Sequence, residues 1–287
     1  MLLELEPLAR SPGAYVFVVV LGLVWGSFAN VCIYRWAPTE EFPEGRSVVK
    51  PGSHCSACKK PIHWYDNVPL LSYLWLRGRC RSCGATFSSR YLLVEALTGA
   101  LFGVAYWFSV GPPGMLEPFE MRLVRFAVMA AFLFAMVVIT FIDIDTMLIL
   151  DKITIPSTVL FYGASLLLHH PWQEGLIGIA VGYGVPWLIG TLYHRIRKRE
   201  GLGLGDAKLL ALVGSLLGWK GVVVSLFGGS LLGTVLTLVA MLSAGKSEDG
   251  TSKMTAELAF GPYLAAAAVF YLFAEPWIEL HFRLTGN

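Results

Sequence analysis

The apolar residues of this chain are gathered into blocks of about 20 residues, the length at which a helix crosses ~30 Å of hydrocarbon. Eight blocks can be marked, at roughly residues 13–34, 91–110, 122–142, 153–169, 175–194, 206–219, 221–243 and 257–276, the sixth being short. In a bilayer core the backbone must satisfy its own hydrogen bonds, so such blocks predict spanning helices. The expected fold is an all-α polytopic membrane protein with about eight transmembrane helices. Composition agrees: 55% of the 287 residues are hydrophobic and only 15% charged, with a mean hydropathy of +0.62, too apolar for a soluble domain of this size.

Charge changes the picture through its distribution. The net charge of +2 is uninformative and gives no ground for a nucleic-acid partner. The segment after the first block, however, carries Arg46, Lys50, Lys59, Lys60, Arg77, Arg79, Arg81 and Arg90. Arg195, Arg197, Lys198 and Arg199 follow the fifth block, and Lys246 and Lys253 follow the seventh. The opposite loops offer only Lys220, with Arg122 and Arg125 just inside the third block. Lys/Arg-rich loops stay cytoplasmic, so the N-terminus is expected outside. Tyr15–Leu23 could pass for a signal-peptide core, but Leu3–Pro7 is acidic and no small-residue cleavage site follows, so residues 13–34 are expected to be a retained helix.

Residues 36–90 form the long polar stretch, and they hold Cys55-Ser56-Ala57-Cys58 and Cys80-Arg81-Ser82-Cys83. Two such pairs read as a tetrahedral four-cysteine site for zinc or another tetrahedral metal, each pair offering two thiolates to one ion. The alternative, two disulfides, does not persist in the reducing cytosol where the charge pattern puts this loop. With all four positions cysteine, no site stays open for a substrate, so the metal is expected to be structural and to supply folding free energy to a loop with little core. Gly84 follows the second pair where a tight turn is needed. His54 and His63 lie nearby and are expected to be ordinary hydrogen-bonding imidazoles, and Cys32 a small buried apolar residue.

Two aspartates stand at the ends of apolar blocks: Asp143 after Phe132–Ile142, and Asp206 inside Gly203-Leu204-Gly205-Asp206-Ala207-Lys208. Ionised carboxylates at the edge of hydrocarbon cost a few kcal/mol each, so two of them suggest a site. Paired carboxylates with different environments are how aspartic peptidases activate water. Asp206 could equally be a helix N-cap.

These features together resemble the bifunctional type IV prepilin leader peptidases/N-methyltransferases, aspartic peptidases of the GxGD type. Trp25-Gly26-Ser27-Phe28-Ala29-Asn30-Val31-Cys32-Ile33-Tyr34-Arg35 is similar to the family's GSFLNVxIYR signature. Trp64–Pro69, Leu76–Gly84 and Arg90–Glu95 resemble its cysteine domain, Ile142–Asp145 and Gly203–Lys208 its two aspartate motifs, and Phe260-Gly261-Pro262 a short motif near the last helix. Ser56 replaces the family's usual Pro in the first knuckle, and Leu150 replaces the Pro before Asp151.

The resemblance implies that Asp143 and Asp206 are catalytic, with Asp145 and Asp151 left to cap helix ends or pair with Lys152, Asp151 being expected to cap residues 152 onward. Lys208 could hold the loop, tune the pair or snorkel. The resemblance further implies S-adenosylmethionine as a methyl donor bound at the cytoplasmic face, a prepilin or pseudopilin substrate whose apolar helix lies in the lipid beside the enzyme, and a place in the bacterial inner membrane. Candidate donor-site residues are Gly26, Ser27, Asn30, Arg35 and Glu95, although helix packing explains Gly26 and Ser27 equally well, and Glu95 could contact the substrate amine or pair with a loop arginine. The expected organisation is a first helix (1–35), a cytoplasmic four-cysteine zinc domain associated with methyl transfer (36–90) and a helical peptidase domain (91–287). Two other functions fit parts of the pattern: a peptidase without methyltransferase activity, and a transporter with a zinc-stabilised loop. The latter predicts acids at the bilayer midplane within repeated, broken helices. His169 and His170 fall in an outside loop, which leaves no plausible Ser-His-Asp set.

Overall fold

The computed structural model describes residues 2–50, 52–114, 117–198, 203–243 and 259–285. Arg199, Lys246 and Lys253, used above for orientation, lie outside them, as do the first two residues of the eighth block. The described structure is helical, with no strand beyond two isolated bridges in the cysteine loop. The chain packs as two units, Met1–Val138 and Ile139–Asn287, the boundary falling inside a helix.

The first unit begins with the short helix α1 (Leu2–Ala9) and the long helix α2 (Pro12–Trp36). Ser11 caps α2 by accepting the N–H of Ala14, and Pro12 opens the first turn, where no donor is needed. After the cysteine loop, which contains the single turn α3 (Leu71–Trp75), come α4 (Arg90–Val110) and the start of α5 (Phe119–Thr146). Helices α2 and α4 pack through small residues. A side chain at Gly26 would begin 2.7 Å from Glu95 Cα, and one at Gly22 2.9 Å from Gly99 Cα. Away from the loop, Val18, Phe102, Tyr106, Val110, Phe119 and Ala130 form an apolar cluster. Arg122 is buried beside that cluster, paired with Glu6 at 2.7 Å and bonded to Val110 O. The Arg122 hydrogen bond holds the Glu6 carboxyl below its ordinary range.

The second unit contains the end of α5, then α6 (Asp151–Leu167), α7 (Trp172–Arg197), α8 (Leu204–Ser243) and α9 (Gly261–Thr285). Helix α8 holds the sixth and seventh apolar blocks, broken at Gly218, whose φ of +64° is closed to most side chains. Helix α7 lies against α8 at near backbone contact. A side chain at Gly178 would run into Gly214 O, and one at Gly182 into Leu210 O. Without a hydrophobic driving force between helices in lipid, such close approach is what holds them.

Among the described residues every apolar block thus falls on a helix, apart from 259–260 ahead of α9 and the last two residues of the fourth block, which lie beyond α6. Among the described residues, five helices (α2, α4, α5, α7 and α8) are long and apolar enough to cross a membrane by length and composition. Their outer faces carry exposed large apolar side chains, among them Leu188, Leu192, Phe227 and Leu231, as lipid contact requires.

Candidate active sites

The cysteine loop folds as two knuckles of one design. Isolated antiparallel bridges pair His54 with Pro61 and Arg79 with Thr86. Cys55 N donates to Lys60 O and Lys59 N to Cys55 O; in the second knuckle Cys80 N donates to Ala85 O and Gly84 N to Cys80 O, all at 2.8–3.0 Å. Both turns need a left-handed residue four positions after the first cysteine. Gly84 supplies it with φ +73°, and Lys59 adopts it with φ +58°. The glycine was legible in the sequence; its lysine twin was not, because only the hydrogen-bonding pattern shows the two positions to be equivalent.

The four Sγ atoms lie within 4.8 Å of one another, and none of the five cysteines forms a disulfide. Cys55 Sγ and Cys83 Sγ are 3.8 Å apart. Sulfurs ~2.3 Å from a common zinc ion stand ~3.8 Å apart at the corners of a tetrahedron, so the set fits a metal. The N–H groups of Cys58 and then Ala57 pull the Cys55 thiol down to about 6 against the effect of burial, which favours the thiolate that a metal needs. The histidines stay outside the cluster: His54 Nδ1 bonds Gly52 O at 3.0 Å and His63 stacks on Tyr65. Cys32 is fully buried in α2.

Between this loop and the adjoining ends of α2 and α4 lies a cavity of about 190 Å³. Ser27, Asn30, Arg35 and Glu95 all line it, together with the rings of Tyr34, Tyr73, Phe87 and Tyr91. Four of the five candidates drawn from the sequence are therefore brought together. Gly26 is not among the lining residues; it lets α2 approach α4. Asn30 Nδ2 donates to Tyr91 O at 3.0 Å, joining α2 to α4, and Arg35 donates to Ser47 O at 2.9 Å, fixing the loop to α2. Asp66 is clasped by Arg81 at 2.6–3.0 Å, and that hydrogen bonding holds its carboxyl below the usual range.

In the second unit, the end of α5 and the starts of α6, α8 and α9 converge. Asp143 is 4% exposed, and its Oδ2 accepts the N–H of Gly261 at 3.0 Å. This N–H belongs to the first residue of α9, where a helix has no internal partner for it. Pro262 follows at a position that needs no donor. Asp206 lies close enough for the charge of Asp143 to act on it. It is not the N-cap of α8. It is the third helical residue, and its Oδ2 reaches back to Gly203 N at 3.2 Å, as the second half of a capping box does. Ile149 packs between the two motifs, its side chain meeting the positions where side chains at Gly205 and Gly261 would begin, at 3.1 and 3.2 Å.

Asp151 also departs from expectation. It is the first residue of α6 and makes no cap hydrogen bond; instead it pairs with Lys208 at 2.5 Å. The lysine of the second aspartate motif thus ties α8 to α6 through an acid other than Asp143 and Asp206. The role of Gly261 was missed from sequence, where Phe260-Gly261-Pro262 was a matched motif without a task. A glycine ahead of a proline at a helix start was the available signal, but nothing in it pointed to Asp143.

Residues 20–109 match the Bacterial Peptidase A24 N-terminal domain, and residues 130–238 match the Type IV leader peptidase family. A protein of Neisseria gonorrhoeae named prepilin leader peptidase/N-methyltransferase is 33% identical over 298 residues, 96% of each chain. This chain belongs to the type IV prepilin leader peptidase family. A second relative of the same name, from Aeromonas salmonicida (strain A449), is 35% identical over 293 residues, 93% of each chain. A third, from Klebsiella pneumoniae, is 37% identical over 210 residues, 71% of this chain and 85% of its own. No solved structure matches. The family's N-terminal domain covers the cysteine knuckles and the cavity, and its peptidase domain covers both aspartates.

Proposed function

We propose that this family member cleaves the leader peptide of type IV prepilins and pseudopilins at the cytoplasmic face of the inner membrane and then methylates the new N-terminal residue. The observation that carries the peptidase reading is the convergence of the Asp143 and Asp206 motifs from different helices, with Asp143 held by Gly261 N–H and Ile149 packed against both Gly205 and Gly261. One carboxylate, ionised, takes a proton from water as the water attacks the scissile carbonyl; the other, protonated, donates to that carbonyl or to the departing amine. Gly261 N–H fixes Asp143, and Gly205 lets Ile149 pack against the backbone beside Asp206. The substrate's apolar helix would lie in lipid beside the enzyme's own helices, its basic leader remaining in the cytosol.

The cavity beside α2 and α4 is the methyl-transfer site in this scheme. S-adenosylmethionine would supply an electrophilic methyl group there, and Ser27, Asn30, Arg35 and Glu95 would line its site. Residues 36–90 act as the zinc domain that holds the cavity wall, and residues 91–287 carry the peptidase. The acids at helix ends argue against a transporter, and the intact cavity argues against a peptidase alone.

The test is direct. Full-length protein in lipid, given a prepilin and S-adenosylmethionine, should yield a shortened pilin bearing one methyl group per new N-terminus by mass spectrometry. An uncut prepilin would overturn the peptidase reading, and a cut but unmethylated product would overturn the methyltransferase reading.

Metal content gives a further expected outcome. Purified protein should carry about one zinc per chain, held by Cys55, Cys58, Cys80 and Cys83. The Cys80→Ser/Cys83→Ser double variant should lose the zinc and lose methyl transfer more than cleavage, because those cysteines brace the wall of the cavity. Elemental analysis finding no metal in the wild-type protein would refute the four-cysteine site.

A further inference from the structure

Glu95 is the one carboxylate at the cavity without a cation. It is 8% exposed, its Oε2 accepts the N–H of Leu70 at 2.8 Å, and it is also hydrogen-bonded to Ser27. Among the described residues no lysine, arginine or histidine pairs with it, so the loop arginine considered as a partner is absent. The other lining carboxylate, Asp66, already has Arg81. Of the arginines that line the cavity, Arg35 donates to the carbonyls of Ser47 and Gly52 at 2.9 and 3.4 Å, and Arg79 forms no ion pair with Glu95. Leu70 holds its N–H toward Glu95 from a φ of +57°, a costly conformation for leucine. A buried carboxylate is stable only when a positive partner or several donors compensate its lost hydration. Two neutral donors are a small set for a group so enclosed.

We infer that the missing cation comes from the substrate: Glu95 receives the free N-terminal amine of the cleaved pilin and positions it for methylation. This rests on the methyltransferase reading above. Glu95 sits on the helix side of the cavity, against Gly26 and Ser27 of α2, where an amine leading directly into an apolar helix would arrive. Tyr73 and Phe87, which line the cavity from the loop, offer flat apolar faces that suit the donor. A sulfonium has no N–H group for a carboxylate to accept, whereas an ammonium has; the donor's own methionine ammonium is the competing partner, and S-adenosylhomocysteine, which keeps that ammonium, distinguishes it from the pilin amine. The arriving ammonium passes one proton through Glu95 to water, and the neutral nitrogen then forms its bond to the methyl carbon as the carbon–sulfur bond breaks. Positive charge moves from sulfur to nitrogen, beside the Glu95 carboxylate, which stabilises it.

The experiment compares binding and turnover in Glu95→Gln and Glu95→Asp, using full-length protein in lipid. The probes are a synthetic precleaved pilin N-terminal segment with a free amine and its N-acetylated twin. The wild-type protein should bind the free-amine segment about tenfold or more tightly than its twin, a contrast expected of a charge-assisted hydrogen bond. Glu95→Gln should bind both equally and methylate the free-amine segment about a hundredfold more slowly. Its cleavage of prepilin should stay within about twofold of wild type, and its affinity for S-adenosylhomocysteine should fall less than its affinity for the free-amine segment; the reverse order would assign Glu95 to the donor's ammonium and overturn the inference. Glu95→Asp, which keeps the charge, should recover part of the preference. Retention of the free-amine preference in Glu95→Gln would overturn the inference while leaving the methyltransferase reading standing. So would equal losses of cleavage, donor binding and methylation in both variants, which would make Glu95 a structural residue. Absence of methyl transfer by the wild-type protein would instead remove the reading on which the inference stands.

Discussion

Asp143→Asn and Asp206→Asn should each reduce prepilin cleavage by about a thousandfold or more, the scale expected when one member of an acid–base pair is removed. The two changes leave side-chain size almost unaltered, and the protein should still insert and fold. Asp143→Asn keeps an oxygen that can accept the N–H of Gly261, so α9 retains its anchor. Asp206→Asn likewise keeps the reach back to Gly203 N that closes the first turn of α8. What is lost is the ability to exchange a proton with water or with the scissile group. The Asp206→Asn protein should nevertheless methylate a precleaved pilin at close to the wild-type rate, because the lining of the cavity proposed for methyl transfer is drawn from residues 27–95. Radiolabelled methyl transfer to that substrate measures it. Normal cleavage by either variant would sink the dyad, and loss of methylation in a folded Asp206→Asn protein would show that the two reactions share groups.

The parts legible in the sequence were those written in local pattern. Block length placed every long helix, since a spanning helix is specified by a run of apolar residues with no long-range information. Spacing alone gave the four cysteines, because a knuckle is a local turn. What escaped depended on contacts between distant elements. Asp151 looked like a cap because it precedes a helical run, yet its partner is Lys208, 57 positions on. Asp206 after glycine looked like an N-cap, but α8 begins one residue after Gly203, which turns the same side chain back on the chain. The motif Gly26-Ser27 through Arg35 mixed two tasks that one-dimensional reading cannot separate. One face of α2 packs on α4 through Gly26, and the neighbouring face presents Ser27, Asn30 and Arg35 to the cavity.

Gly261→Ala should be nearly as damaging to cleavage as the loss of a carboxylate, although it adds a single methyl group. That methyl would begin 2.6 Å from Asp143 Oδ2, 3.1 Å from its Cγ and 3.2 Å from Ile149 Cδ1. Carbon and oxygen do not tolerate 2.6 Å, so either the carboxyl group rotates away or the start of α9 retreats. Both movements lengthen the hydrogen bond from Gly261 N–H that holds the Asp143 carboxyl group. A displacement near 1 Å at reacting groups can cost about a hundredfold in rate, and that is the expected loss. The effect on stability should be smaller, about 1–3 kcal/mol, the usual range for one overpacked methyl group. Methylation of a precleaved pilin should be unaffected. Gly163→Ala in α6 is the control, since a side chain there meets nothing within 4 Å and cleavage should be unchanged. Steady-state cleavage rates of the two variants, with thermal unfolding measured alongside, decide the matter. If Gly261→Ala cuts prepilin as fast as Gly163→Ala does, the first N–H of α9 does not position Asp143, and the convergence of helix ends around the dyad is packing without catalytic consequence.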